Sequence, residues 1–187
     1  MVKLLLRPLM PLLLALLAGC GLNSVDLPPV PTQADLAYRL DTGDKVAVTV
    51  FGQTDLTGQY DVGADGALML PLIGKLPVRG LTVDEVAATA GERYGKVMVQ
   101  PKVNADIAVY RSVYVLGEVN HAGNFAYIPG LRVQQAIAIA GGFTRRAITD
   151  RIVLVRPNAN GDLKRYAVGL SDLIQPGDTL DIQRRVF

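Results

Sequence analysis

Cysteine is almost absent from this chain. Its 187 residues hold one Cys, one His and no Trp. A lone cysteine closes no internal disulfide, and with one histidine the usual Cys/His zinc sets are out of reach. No Gly-x-x-x-x-Gly-Lys-Ser/Thr or Gly-x-Gly-x-x-Gly run is present, so nucleotide binding has no motif. The missing Trp removes the best stacking surface for a high-affinity sugar groove. Excess charge is lacking too: 19 Lys and Arg face 17 Asp and Glu. Two of the basic residues, Lys3 and Arg7, lie within the first 19. Without them the count is 17 against 17, a formal net charge of zero that gives no argument for nucleic acid. No paired carboxylates or nucleophile–base pair stand out. His121, beside Ala122-Gly123, reads as a turn residue. Asp61 and Asp65, in a Gly-rich stretch, also read as turn residues. Arg145-Arg146 reads as a solvated loop or as a contact for an anionic polymer. The expectation is no catalytic residue, no metal and no cofactor.

What the chain does have is concentrated at its start. Lys3 and Arg7 precede an apolar run from Leu9 to Leu17, too short to cross ~30 Å of hydrocarbon as a helix. Small residues Ala18 and Gly19 then meet Cys20. Leu17-Ala18-Gly19-Cys20 resembles a bacterial lipobox at all four positions. The resemblance implies that residues 1–19 are a lipoprotein signal peptide. It also implies a covalent diacylglycerol on the Cys20 thiol and an N-acyl lipid on its new amino group. Gly21, rather than Asp, follows the cysteine. By the same analogy this favours an outer-membrane address, facing the periplasm.

Residues 20–37 read as a tether stiffened by Pro28, Pro29 and Pro31. At ~3.1 Å per residue it lifts the folded body up to ~50 Å from a membrane. The body opens at Tyr38. Gly43-Asp44 turns into a strand with Val46, Val48 and Val50 on one face. Asp65-Gly66 starts an apolar strand that Pro71 interrupts and Gly74 ends. Thr82 and Glu85 have capping-box spacing before a helix whose stripe is Val83, Val86, Ala87 and Ala90. Val103, Ala105, Ile107 and Val109 alternate on a strand. The second half repeats this grain. Val113 and Val115 open a strand, and Phe125–Ile128 forms another. A helix then carries Val133, Ala136, Ile137 and Ala140 and stops at Gly141-Gly142. Ile152–Val155, Lys164–Val168 and, after Pro176-Gly177-Asp178, Thr179–Gln183 are further strands. Gly80-Leu81-Thr82-Val83 and Gly130-Leu131-Arg132-Val133 introduce the two helices in like words. The reading is α+β, two small mixed domains at 38–110 and 111–187, with a boundary near 110–112.

The order of motifs resembles a known family. It runs lipobox, Pro-rich tether, Tyr38-Arg39-Leu40-x-x-Gly43-Asp44 and Asp65-Gly66-x-Leu68-x-Leu70-Pro71-Leu72-Ile73-Gly74. Gly80-Leu81-Thr82, Pro101-Lys102-Val103, Val113-x-Val115-x-Gly117-Glu118-Val119, Ala140-Gly141-Gly142 and Pro176-Gly177-Asp178-Thr179-Leu180 complete it. This is similar to the Wza-type polysaccharide export proteins, nearest their short members, the xanthan-export lipoproteins among them. The resemblance implies a polysaccharide-export domain followed by one SLBB (soluble-ligand-binding β-grasp) domain. Long members add further β-grasp repeats and a C-terminal helix that forms a barrel through the outer membrane. Only five residues follow Ile182, Arg184-Arg185 among them, so pore formation is not carried over.

The expected function is a non-catalytic, ring-forming lipoprotein in an exopolysaccharide or capsule export conduit. The implied partners are copies of itself, an inner-membrane polysaccharide co-polymerase, a separate outer-membrane β-barrel and the polysaccharide. The competing expectation is a tethered β-grasp module that binds a sugar or senses envelope state.

Overall fold

The computed structural model describes residues 27–31, 37–158 and 161–185. Leu17, Ala18, Gly19 and Cys20 lie outside the described residues. The fold is α+β, built around two hydrophobic cores.

The first core follows from period-two patterning. Strand β1 (Lys45–Val50) buries Val46, Val48 and Val50 and turns Lys45, Ala47 and Thr49 outward. It lies between β2 (Gly58–Asp61) and β5 (Val103–Val109), antiparallel to both. Val46, Val48 and Val50 oppose Ile107, Ala105 and Val103, so the expected face of β5 meets that of β1. A register shift at Lys45/Val46 takes Val109 out of this alternation and leaves it exposed. Strands β3 (Ala67–Leu70) and β4 (Gly74–Pro77) form a separate hairpin. Gly74 therefore opens a strand, where the sequence suggested only an end. Helix α1 (Val83–Tyr94) closes the core with Val86, Ala90 and Tyr94. Its capping box is formed: the Glu85 N–H donates to Thr82 Oγ1 at 3.3 Å, and the Thr82 N–H to Glu85 Oε2 at 2.8 Å.

The second core sits under a five-stranded mixed sheet. Its members are β6 (Val113–Gly117), β7 (Gly123–Phe125), β8 (Ala147–Pro157), β9 (Leu163–Val168) and β10 (Thr179–Arg184). The spatial order is β7-β6-β10-β8-β9, with β6 and β10 parallel. Helix α2 (Val133–Ile139) packs Val133, Ala136 and Ile137 beneath it. Arg132 precedes α2 without an accepting side chain, but its N–H donates to Gln135 Oε1 at 2.8 Å. Gly141 and Gly142 both take positive φ, and the Gly142 N–H returns to the Ile137 carbonyl at 2.9 Å. Strand β8 is longer than the apolar run Ile152–Val155 indicated. Strand β7 is Gly123–Phe125, so Gly123 and Asn124 are strand rather than turn, and the strand ends where the expected Phe125–Ile128 run begins.

The two modules share one device in permuted order. Leu40 exchanges backbone hydrogen bonds with Gly80 and Leu81, the residues leading into α1. Ile174 donates likewise to the Leu131 carbonyl, ahead of α2. Leu40 stands four positions before Asp44, and Ile174 four before Asp178. Each helix lead-in therefore pairs with an apolar residue that opens a Gly-Asp turn. The first module begins with that segment and the second ends with it.

The Pro-rich segment is also part of the body. The Ala167 N–H donates to the Pro28 carbonyl at 3.0 Å, Pro29 bridges Ala167 in parallel, and Val30 packs on the second core. This differs from a stand-off tether across 20–37: residues 28–30 extend the β9 edge. Proline suits an edge, because the missing N–H faces away from the ladder.

Candidate functional site

The modules meet at the two Gly-Asp turns. Asp44 and Asp178 are the buried charged residues of the described chain, 0% and 1% exposed. Each carboxylate first serves its own turn. The Asp41 N–H donates to Asp44 Oδ2 at 2.8 Å, and the Gln175 N–H to Asp178 Oδ2 at 2.7 Å. Gly43 and Gly177 have φ of 92° and 86°, which glycine adopts without the clash a Cβ brings. Each acid is then neutralised. Arg156, on β8, clamps Asp178 with Nε at 2.7 Å and Nη2 at 2.6 Å. Asp44 takes the backbone N–H of Arg111 at 2.8 Å and its Nη1 at 3.2 Å, plus the Tyr38 hydroxyl at 2.7 Å.

Arg111 lies on the link between the modules and touches both turns. It packs on Gly43, and a Cβ at Gly177 would stand 2.5 Å from its Nε. Tyr38, Tyr110 and Tyr127 add an edge-to-face ladder across the junction, with centroids 5.1 and 5.3 Å apart. Burial, reinforced by the hydrogen bond to Asp44, holds the Tyr38 phenol far above its ordinary pKa. Burial also raises Tyr127.

A cavity of about 720 Å³ opens at this junction, in the size range of ligand sites (~300–1,000 Å³). Tyr38, Arg39, Arg111, Tyr127, Arg132 and Arg156 contribute to its wall. Asp44 and Asp178 engage two of these arginines from behind. Arg39 meets the Gly80 carbonyl and the exposed Glu85, and Arg132 the Ser171 carbonyl. The walls offer guanidinium donors and aromatic faces to a polar or anionic ligand.

The residues singled out in the sequence lie elsewhere. Asp61 is in β2, not in a turn, and pairs with Lys45 at 3.1 Å across β1. Asp65 is a turn residue whose ion pair with Lys75 holds its carboxyl below the usual carboxylate range. His121 is exposed in the turn after Val119. No group of three or more His, Cys, Asp or Glu that could hold a metal occurs among the described residues. Sequence reasoning gave Gly43-Asp44 and Gly177-Asp178 only as turns. The signal for more was the repetition of Leu/Ile-x-x-Gly-Asp. Nothing in the sequence marked Arg111 or Arg156 as their partners.

Two modules in this order, joined by such turns, correspond to two known domain types. Residues 32–108 match the family described as polysaccharide biosynthesis/export protein, and residues 112–166 match the SLBB domain. The chain belongs to the polysaccharide export family. Its export domain contains the first Gly-Asp turn and α1, and its SLBB domain supplies β6 through most of β9. Among curated relatives, the exopolysaccharide production protein ExoF of Rhizobium meliloti (strain 1021) is 34% identical over 162 residues. The alignment covers 80% of this chain and 37% of ExoF. The EPS I polysaccharide export outer membrane protein EpsA of Ralstonia nicotianae (strain ATCC BAA-1114 / GMI1000) is 26% identical over 183 residues, 83% of this chain and 46% of EpsA. The chain thus spans less than half the length of either relative.

Proposed function

We propose that this protein is a non-catalytic component of an exopolysaccharide or capsule export conduit in the cell envelope. The observation that carries the reading is the export domain followed directly by an SLBB domain, joined through the Asp44–Arg111 clamp. A conduit needs a fixed geometry between its modules and no reacting groups. The buried turns and the tyrosine ladder supply the first. Leu17, Ala18 and Gly19 serve as lipobox, residues 1–19 are removed, and Cys20 carries the lipid that anchors the protein at the outer membrane, facing the periplasm. Copies assemble laterally into a ring, with an inner-membrane polysaccharide co-polymerase on one side. Passage through the outer membrane falls to a separate β-barrel. No described helix is long and apolar enough to cross a membrane.

Deletion of the gene tests this. Polymer in the medium should fall to background and return with the wild-type gene, and crosslinking in cells should trap ladders above the monomer. Unchanged secretion in the deletion strain removes the export reading, and a strictly monomeric pattern with intact secretion removes the ring.

The arginine-walled cavity favours one second reading, a tethered SLBB module that holds a soluble sugar. It predicts a monomer whose deletion spares secretion.

A further inference from the structure

Two arginine pairs far apart in the chain meet at one corner of the SLBB domain. Arg184 is the register partner of Ala147, and the Arg185 N–H donates to the Arg146 carbonyl at 2.8 Å. Arg145-Arg146 therefore lies against Arg184-Arg185. Arg151 adds a fifth guanidinium, one residue before Ile152, which pairs with Ile182. All five arginines are exposed. The carboxylates beside them are Glu118 and Asp150. Glu118 accepts from the Thr144 hydroxyl and stands 3.8 Å from Arg184 Nε. Arg145, Arg146, Arg151 and Arg185 form no ion pair among the described residues.

This corner is at the end of β8 and β10 opposite Arg156 and Asp178, so the junction does not use it. Five guanidiniums face two carboxylates across a few strand spacings of ~4.8 Å. Grouped like charges repel, and that cost has no return inside the described fold. It is recovered when an external anion arrives.

We propose that this corner binds a carboxylate-bearing polysaccharide, a linear polyanion of the polyuronate class. That the ligand is a saccharide rests on the export reading above; that it is anionic rests on the corner itself. A guanidinium presents two parallel N–H groups to the two oxygens of a carboxylate, and successive sugars repeat that carboxylate along a chain. Each exposed contact is weak and screened within ~10 Å at 0.1 M salt. The chain is held by many contacts and trapped by none.

The test uses the full lipidated protein in detergent, with polygalacturonate and neutral dextran of matched length as probes. Expected is binding to polygalacturonate alone, weakening at least tenfold between ~20 and ~200 mM NaCl. The variant R145Q/R146Q/R184Q/R185Q should weaken it by about tenfold or more at low salt, whereas K96Q/K102Q, two exposed cations of the export domain outside both the corner and the cavity, leaves it unchanged. R184Q/R185Q alone should give an intermediate loss, and a melting curve matched to wild type excludes misfolding. Equal binding of dextran, or an unaffected quadruple variant, overturns the proposal. So does binding only to phosphatidylglycerol vesicles, which would make the corner a membrane contact. Polyuronate binding lost in the quadruple variant while secretion is retained supports the anion site and shows that export does not depend on it. A deletion strain that still secretes overturns the export reading and leaves the anion site in place.

Discussion

Asp44 and Arg111 hold the two domains together through side chain and backbone at once. The fully buried Asp44 carboxylate accepts the Arg111 amide at 2.8 Å and its guanidinium at 3.2 Å. The link between domains is therefore fixed by an acid of the first domain's opening turn.

Removing one partner of a buried pair strands the other. Asp44→Ala, and separately Asp178→Ala, should each destabilise the protein by about 3 kcal/mol. Asp181→Ala, which breaks the exposed 3.8 Å pair with Arg165, should cost no more than ~0.5 kcal/mol. Urea unfolding at neutral pH compares them, and equal losses for Asp44 and Asp181 would contradict the buried clamp.

Tyr38 gives the molecule an alkaline weakness. In the unfolded chain its phenol ionises near 10, while burial and Asp44 keep it protonated in the fold. Above pH ~10 the unfolded state thus binds fewer protons, and stability falls as pH rises; below that pH this contribution is fully present. Tyr38→Phe should flatten the fall between about pH 9 and 11 without abolishing it, since Tyr60, Tyr94 and Tyr127 are also raised. Urea midpoints across that range read the slope directly.

Gly117 admits no side chain. Its φ is +84°, and a Cβ would stand 2.1 Å from the Ile182 carbonyl oxygen in the parallel β6–β10 pair. Gly117→Ala should cost about 2–4 kcal/mol from strain plus overpacking. Gly52→Ala, at φ +76° with open space around it, should cost about 1 kcal/mol. Thermal melts of the pair should rank them in that order.

Thr82 caps α1 through its hydroxyl. Thr82→Ala should lower stability by about 1 kcal/mol, and Thr82→Ser should restore most of it. Identical melts for the Ala and Ser variants would mean that the cap carries no weight.

The anchor is the simplest assignment to check. Cys20→Ser should move the protein from the membrane fraction to a soluble or uncleaved form, and intact mass of the wild type should show the lipid and the loss of residues 1–19. An unmodified Cys20 in membrane-purified protein would remove the anchor.

Much of this fold was legible because it rests on short-range pattern. Alternation in Val46, Val48 and Val50 and the capping box at Thr82 need only neighbours to be read. Strand ends were less clear. Val109 leaves its expected face because of a bulge against Lys45, and β8 extends beyond its apolar core into Ala147 and Pro157. The junction was the least legible part. A Gly-Asp pair looks like any turn until Arg111 or Arg156 is placed against it, and those contacts join residues up to 67 positions apart. The permutation of the repeat hid the likeness between Leu40 and Ile174, because the same segment comes first in one domain and last in the other.

The pairing of Pro28 with Ala167 sets a leash length. With a lipid on Cys20, eight residue-to-residue steps lead from the bilayer to Pro28 at the β9 edge, and a fully extended chain covers at most ~3.6 Å per step, about 29 Å in all. On the proposed lipid anchor, the ~50 Å stand-off of a free tether would not be reached. The SLBB domain would then be the part moored to the bilayer, and the export domain, returning from that mooring, would be free to reach farther into the periplasm. A longer leash would loosen the mooring only if inserted ahead of Pro28; spacer residues placed after Pro31 would lengthen the path between domains and leave the height above the bilayer unchanged.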